Sequence, residues 1–274
     1  MIAVARILSS KAPERGVVTD QSKWVLKPRP NPVAGLRVFC FPYAGLGPSV
    51  FRSWVGEFPG NVEVCLMQPP GREGRWAEPP FVSVDQLATA ASDALQPHLT
   101  LPYVFFGHSL GALVSFEVAR TLRRQGAPMP QHLFVSAHRA PQMPNPHPEM
   151  RGLGDADFVD QICRHYGGIP QAVLDNPDLM ELMLPCLRAD LTAFETYAYH
   201  SEDPLVCPIS AFGGRADKRV SEEEVRGWRD QTRETFSVQM FDGGHFFLQS
   251  HRDELVAAIR REIGGLRVLT AVRR

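Results

Sequence analysis

Surplus charge is the first thing this chain lacks: 29 Lys and Arg stand against 30 Asp and Glu, a formal charge of −1 over 274 residues. Without a basic excess it has no electrostatic footprint for nucleic acid. It has no apolar run near the roughly 20 residues a membrane-spanning helix needs. Its opening MIAVARILSS is interrupted by Arg6 and is too short for a secretory apolar core followed by a small-residue cleavage site. The expectation is a cytoplasmic protein with neither nucleic acid nor membrane as partner. Cysteine is sparse too. The five, Cys40, Cys65, Cys163, Cys186 and Cys207, are odd in number and scattered, with no C-x-x-C spacing. Neither a disulfide framework nor a zinc site is expected, and no cofactor or metal. Internal repeats and low-complexity tracts are absent as well. What remains is an ordinary globular composition, 44% hydrophobic and 22% charged, in a chain long enough to bury a sheet on both faces.

The most informative stretch runs from Tyr103 to Gln125, YVFFGHSLGALVSFEVARTLRRQ. Tyr103 to Phe106 reads as a buried strand and Leu110 to Arg124 as a helix, with Gly107-His108-Ser109-Leu110-Gly111 between them. This is G-x-S-x-G in the strand-turn-helix setting that presents a nucleophile. So tight a reversal strains the serine backbone and leaves no room for a Cβ at positions 107 and 111.

The rest of the chain reads as an α/β fold with a mostly parallel central sheet covered by helices on both faces. Residues 1–22 have no periodicity and are expected to be a mobile extension. Trp24 to Leu26 suits a short edge strand; Leu36 to Phe41, Val62 to Met67, His132 to Ala137, Ile209 to Phe212 and Phe236 to Phe241 suit core strands. Ser83 to Gln86 fits a capping box ahead of a helix, and Gly126 is a helix stop. Between His138 and Val206 the strand-helix alternation fails. A helix capped by Asp155 and closed by Gly167 and Gly168 is expected there, then one opened by Asn176-Pro177 and interrupted at Pro185. Residues 138–206 are therefore read as a helical lid inserted into a core of residues 23–137 and 207–266. Ser250 to Asp253 resembles a last N-cap, and 267–274 forms a basic tail.

Serine needs a base to take its proton, and an imidazole needs a carboxylate to fix its tautomer. The order Ser, Asp, His at the carboxyl ends of successive strands supplies both. Asp217 follows the 209–212 strand and His245 the 236–241 strand. Asp203 precedes its strand and Asp242 would crowd His245, so both are set aside. His108 is assigned to supporting the elbow; His138 could lie near the site; the remaining histidines are read as surface or core. The tetrahedral intermediate also needs two donors for its O⁻. The backbone N–H groups of Leu110, directly after the nucleophile, and Ala44, in the glycine-rich loop after the first core strand, are the candidates.

FPYAGLG at 41–47, PPGRE at 69–73, GHSLGA at 107–112, YGGIP at 166–170, LPCLRAD at 184–190, GGRAD at 213–217 and GGHFFL at 243–248 together resemble a type II thioesterase of polyketide and nonribosomal peptide biosynthesis. The resemblance covers about Trp24 to Ile263. It implies an α/β-hydrolase fold, a Ser109, Asp217, His245 triad and an oxyanion hole at Ala44 and Leu110. It further implies an enzyme that hydrolyses acyl groups from the phosphopantetheine thiol of acyl or peptidyl carrier proteins; a monomer is expected. The sequence departs from the pattern at Leu46, where the family has a second glycine. Asp190 is read as a buried partner of an arginine, with the same structural caution for Arg72, and Arg215, Lys218 and Arg219 as contacts for an acidic carrier. The rivals are a general carboxylesterase or lipase with the same triad, a cyclising thioesterase and a noncatalytic binding module of the same fold.

Overall fold

The computed structural model describes residues 23–166, 169 and 171–266. The expectations for the N-terminal extension, the basic tail and a Gly167-Gly168 helix end therefore lie outside the described residues. Seven strands form one sheet in the order β1-β3-β2-β4-β5-β6-β7. They are β1 (Val25–Leu26), β2 (Leu36–Phe41), β3 (Val62–Met67), β4 (Tyr103–His108), β5 (Leu133–Ser136), β6 (Ile209–Gly214) and β7 (Phe236–Phe241). Only β1 is antiparallel, pairing Val25 with Met67 at one edge; the other pairings are parallel.

All six residues of β3 and of β4 are buried, which is why these segments read as continuous apolar runs rather than alternating ones. Side chains still alternate between two cores. Phe39, Phe41 and Phe105 pack with α1 (Val84–Leu95) and α2 (Leu110–Arg124) on one face. Val38, Cys40, Val104 and Phe106 pack on the other face with a 3₁₀ segment at Pro48–Trp54 and the C-terminal helices.

Strands β4 and β6 each run two residues beyond the sequence expectation, because Gly107 and Gly213-Gly214 stay in register with their neighbours, Gly107 opposite Phe41 and Gly214 opposite Phe241. Ser83 caps α1 through the Gln86 N–H, without the reciprocal bond of a full capping box. Gly126, at φ 68°, ends α2 as expected.

Between β5 and β6 lie α3 (Asp155–His165), α4 (Gln171–Leu174) and α5 (Pro177–Glu195). Their apolar faces share a small separate core of Met150, Phe158, Ile162, Ile169, Leu187 and Leu191. Gly154 rather than Asp155 is the N-cap of α3; Asp155 sits in the first turn, where its charge suits the positive helix end. Asn176 caps α5 through the N–H groups of Asp178 and Leu179. Pro185 does not interrupt α5. It lies on the exposed face with Glu181, while buried Cys186, Leu187, Asp190 and Leu191 hold the helix together.

The remaining helices are α6 (Glu222–Arg226), α7 (Phe247–Ser250) and α8 (Arg252–Gly265). Trp228 follows α6 in a 3₁₀ turn and is fully buried. The final helix is capped at His251, inside the Ser250 to Asp253 stretch but with no side-chain cap, because the short α7 uses Ser250 as its own last residue. Among the described residues no helix is long and apolar enough to cross a membrane.

Candidate active site

Ser109 joins β4 to α2 at φ 53° and ψ −123°, a strained conformation for a residue with a side chain. The surroundings impose it. The Ser109 N–H donates to Ser136 O at 2.7 Å, a Cβ on Gly107 would stand 2.2 Å from Gly111 O, and one on Gly111 would stand 2.2 Å from Phe41 O. The crossing of β2, β4 and α2 is thus too close for any residue but glycine at 107 and 111, as the motif predicts.

The ends of β6 and β7 are pinned together in the same manner. Arg215 N–H donates to Phe241 O at 2.8 Å and Ala216 N–H to Gly243 O at 2.9 Å. A Cβ on Gly214 would come within 2.4 Å of Gly243 O. This contact sets Asp217 beside His245. His245 Nδ1–H donates to Asp217 Oδ2 at 2.8 Å, and the Ser109 hydroxyl donates to His245 Nε2 at 3.0 Å. The second carboxylate oxygen, Asp217 Oδ1, accepts the Arg219 N–H at 2.8 Å. A carboxylate can only accept, so Nδ1 carries the imidazole proton and Nε2 is left free to take one from serine.

The three residues chosen from the sequence are therefore in contact, across 136 residues for the Ser109–His245 pair. The rivals are elsewhere. Asp203 pairs with Arg233 and Asp242 with Arg215, both exposed. His108 is fully buried and bonded to Ser136 Oγ at 2.9 Å, supporting the elbow. His138 does reach the cavity wall, but its Nδ1 is engaged by Arg139 O and burial pushes it down to about 3, leaving it neutral.

Ala44 and Leu110 both border the cavity into which Ser109 and His245 open. Among the described residues neither backbone N–H has a protein acceptor. The Ala44 turn is bonded from Tyr43 O to Leu46 N–H at 3.3 Å, with Gly45 at φ 77°, the marks of a type II turn. Leu46, the departure from the motif, lines the same cavity.

The cavity is mostly apolar, walled by Ile162, Tyr166, Met183, Leu187, Leu191 and Phe194 from the inserted helices. The Tyr166 ring stands edge-on to His245, with ring centroids 5.1 Å apart, and burial raises its hydroxyl pKa. Sequence reasoning gave Tyr166 no role, although it opens the YGGIP motif.

Arg219 is a correction. It is 3% exposed, lies over the Tyr166 ring at 4.8 Å and donates to the Tyr166 hydroxyl at 3.2 Å. It is a wall of the cavity, not a surface contact, because the turn after Asp217 folds it inward. Arg215 and Lys218 do face solvent.

Arg72 and Asp190 form the expected buried pair, at 2.8 and 3.0 Å. Burial opposes the Arg72 charge, but the adjacent Asp190 carboxylate, with Cys186 and Glu73, outweighs it and raises the guanidinium pKa.

A parallel sheet with a strained serine after a central strand, and an aspartate and a histidine after the last two, defines a serine hydrolase of the α/β-hydrolase class. The particular family follows from comparison. The chain belongs to the thioesterase family: the thioesterase domain model matches residues 36–263. It is 40% identical over 246 residues to the gramicidin S biosynthesis protein GrsT of Aneurinibacillus migulanus, covering 90% of this chain and 96% of that protein. Its structure resembles RedJ, a thioesterase from the prodiginine pathway of Streptomyces coelicolor, with TM-score 0.78, 39% identity and coverage of 93% and 91%. It also resembles BorB, a type II thioesterase from the borrelidin biosynthetic cluster, with TM-score 0.80, 32% identity and coverage of 90% and 99%. The resemblance to type II thioesterases drawn from the motifs holds, and the chain is a thioester hydrolase.

Proposed function

We propose that the chain clears acyl groups from the phosphopantetheine thiol of acyl or peptidyl carrier proteins in polyketide or nonribosomal peptide synthesis, through a Ser109 acyl-enzyme. The observation that carries the mechanism is the continuous bond series Asp217–His245–Ser109, opening into an apolar cavity. The carrier substrate is supported by the biosynthetic roles of the similar proteins.

His245 Nε2 takes the Ser109 proton as Oγ attacks the thioester carbon, and the negative oxygen is received by the N–H groups of Ala44 and Leu110. The C–S bond breaks and Nε2–H protonates the departing thiolate. Water then gives a proton to Nε2 and attacks the acyl carbon, and serine leaves with that proton, releasing a carboxylic acid. Asp217 holds the tautomer and faces the imidazolium that forms in each half. A thiolate leaves easily, so the protein's greater task is choosing which acyl chain enters. The inserted segment 138–206 acts as the lid that does so, since α3 and α5 supply much of the apolar wall.

The test is hydrolysis of a panel of acyl-carrier proteins, set against p-nitrophenyl esters of the same acids. Strong preference for the carrier-bound thioester, abolished by Ser109→Ala, is the expected outcome. Faster turnover of the simple oxygen esters would favour a general carboxylesterase instead.

A further inference from the structure

The bonds around Asp190 extend beyond its ion pair. Asp190 lies on α5, 145 residues from the Ala44 turn, yet its Oδ2 accepts the Gly45 N–H at 2.7 Å. The same oxygen accepts Arg72 Nη1–H at 2.8 Å, Oδ1 accepts Nη2–H at 3.0 Å, and Arg72 Nη1 also reaches Leu46 O at 3.3 Å. Asp190 is 1% exposed and Arg72 6%. The contact is also steric: a Cβ at Gly45 would stand 2.9 Å from Leu187 Cδ1, so α5 lies directly on the turn.

Gly45 N–H belongs to the central peptide of the type II turn. Rotation of that peptide is what interconverts type II and type I turns. A carboxylate fixed by a two-pronged arginine and aimed at this N–H selects one of the two states. Ala44, which lines the catalytic cavity, is the preceding residue of the same turn.

We propose that Asp190 is a positioning residue for the oxyanion hole, with Arg72 holding it in place, so that seating α5 over the cavity and shaping the Ala44 donor are one event. The inference rests on Ala44 being an oxyanion donor. It gives α5 a part in the chemistry as well as in admitting substrate: when the helix lifts, the turn loses its acceptor and the hole loses its shape.

Two variants test this. Asp190→Leu removes the carboxylate that accepts the Gly45 N–H and leaves Arg72 without its partner. The double variant Arg72→Leu/Asp190→Leu removes the acceptor without stranding a buried charge, an exchange that buried ion pairs tolerate. Both are assayed on butyryl-N-acetylcysteamine, with butylboronic acid as a tetrahedral mimic on Ser109, butyrate as a ground-state ligand and thermal melting as the fold control. Expected is a fall in kcat of about 10²-fold, the cost of losing one oxyanion donor, with KM little changed. Boronic acid affinity should drop in step, while butyrate affinity and the melting point of the double variant stay near wild type. Retention of wild-type boronic acid affinity by the folded variants would overturn the role of Asp190, even if kcat falls. Failure of the wild type to prefer the boronic acid over butyrate would instead remove the oxyanion reading, and this inference with it.

Discussion

Asp217→Asn changes one atom of the triad, and the structure fixes which way the new amide must face. Asp217 Oδ1 accepts the Arg219 N–H at 2.8 Å while Oδ2 accepts from His245 at 2.8 Å. In the variant the amide oxygen stays on the Arg219 N–H, since the reverse orientation sets two donors together in a site where both side chains are nearly fully buried. Leaving a buried donor unsatisfied costs about 1–3 kcal/mol. The amide NH₂ then donates to His245 Nδ1, the imidazole proton moves to Nε2, and Nε2 can no longer accept from Ser109. At roughly 1.4 kcal/mol per factor of ten, this tautomer preference supplies about 10- to 10²-fold of lost activity. Loss of the negative charge beside the forming imidazolium supplies the rest, to a total of about 10⁴-fold in kcat. The assay is turnover of an acyl-N-acetylcysteamine thioester by wild type and variant at the same pH, with melting to show that the isosteric variant folds. A kcat within about ten-fold of wild type would refute the argument that Asp217 fixes the tautomer.

Other expectations follow from the same geometry. Ser109→Gly should abolish activity yet raise stability by about 1–3 kcal/mol, because glycine relaxes the strain at φ 53°; an unchanged or lower denaturation midpoint would contradict stored strain. Gly111→Ala sets a Cβ 2.2 Å from Phe41 O and 2.6 Å from Pro42 O, so urea denaturation should show a loss of about 3 kcal/mol or more; a loss under about 1 kcal/mol would contradict the close approach of the elbow to β2. Acid sensitivity follows from two buried histidines: burial pushes His132 from 6.5 down to about 4, and His138, chiefly by burial, down to about 3. Each takes up its proton more readily in the unfolded chain, so the stability it supports is complete above pH 6.5 and is lost as pH falls through the window down to these values. His132→Gln should flatten the dependence of stability on pH by roughly 1.4 kcal/mol per unit between about pH 6 and pH 4.5. Parallel profiles for the two proteins would rule His132 out as a contributor.

The sheet was legible because most of its strands are buried on both faces, and an apolar run bounded by glycine or proline has few other readings. The nucleophile, acid and base were legible because each follows a strand, and a parallel sheet gathers its carboxyl-end loops without further information. Where side-chain partners decide the structure, local pattern fell short. Pro185 reads as a break, but α5 runs through it, with Cys186, Leu187, Asp190 and Leu191 buried on the other face. Arg219 reads as a surface cation, but the turn that gives its N–H to Asp217 carries its side chain into the cavity. The pairing of Arg72 with Asp190 could be expected from motif and charge. The Asp190 bond to Gly45 could not, because no local periodicity connects residues 145 apart. Tyr166 escaped for the same reason: its position against His245 depends on how α3 sits on the sheet.

The most direct measurement is mass spectrometry of the enzyme quenched during turnover of a butyryl-phosphopantetheinyl carrier protein. Attack by Ser109 on the carrier thioester predicts one butyryl group on the peptide containing Ser109, formed and consumed during turnover and absent in Ser109→Ala, which leaves the carrier acylated. Undiminished deacylation of the carrier by Ser109→Ala, or a butyryl group on another residue that turns over at the catalytic rate, would contradict the account.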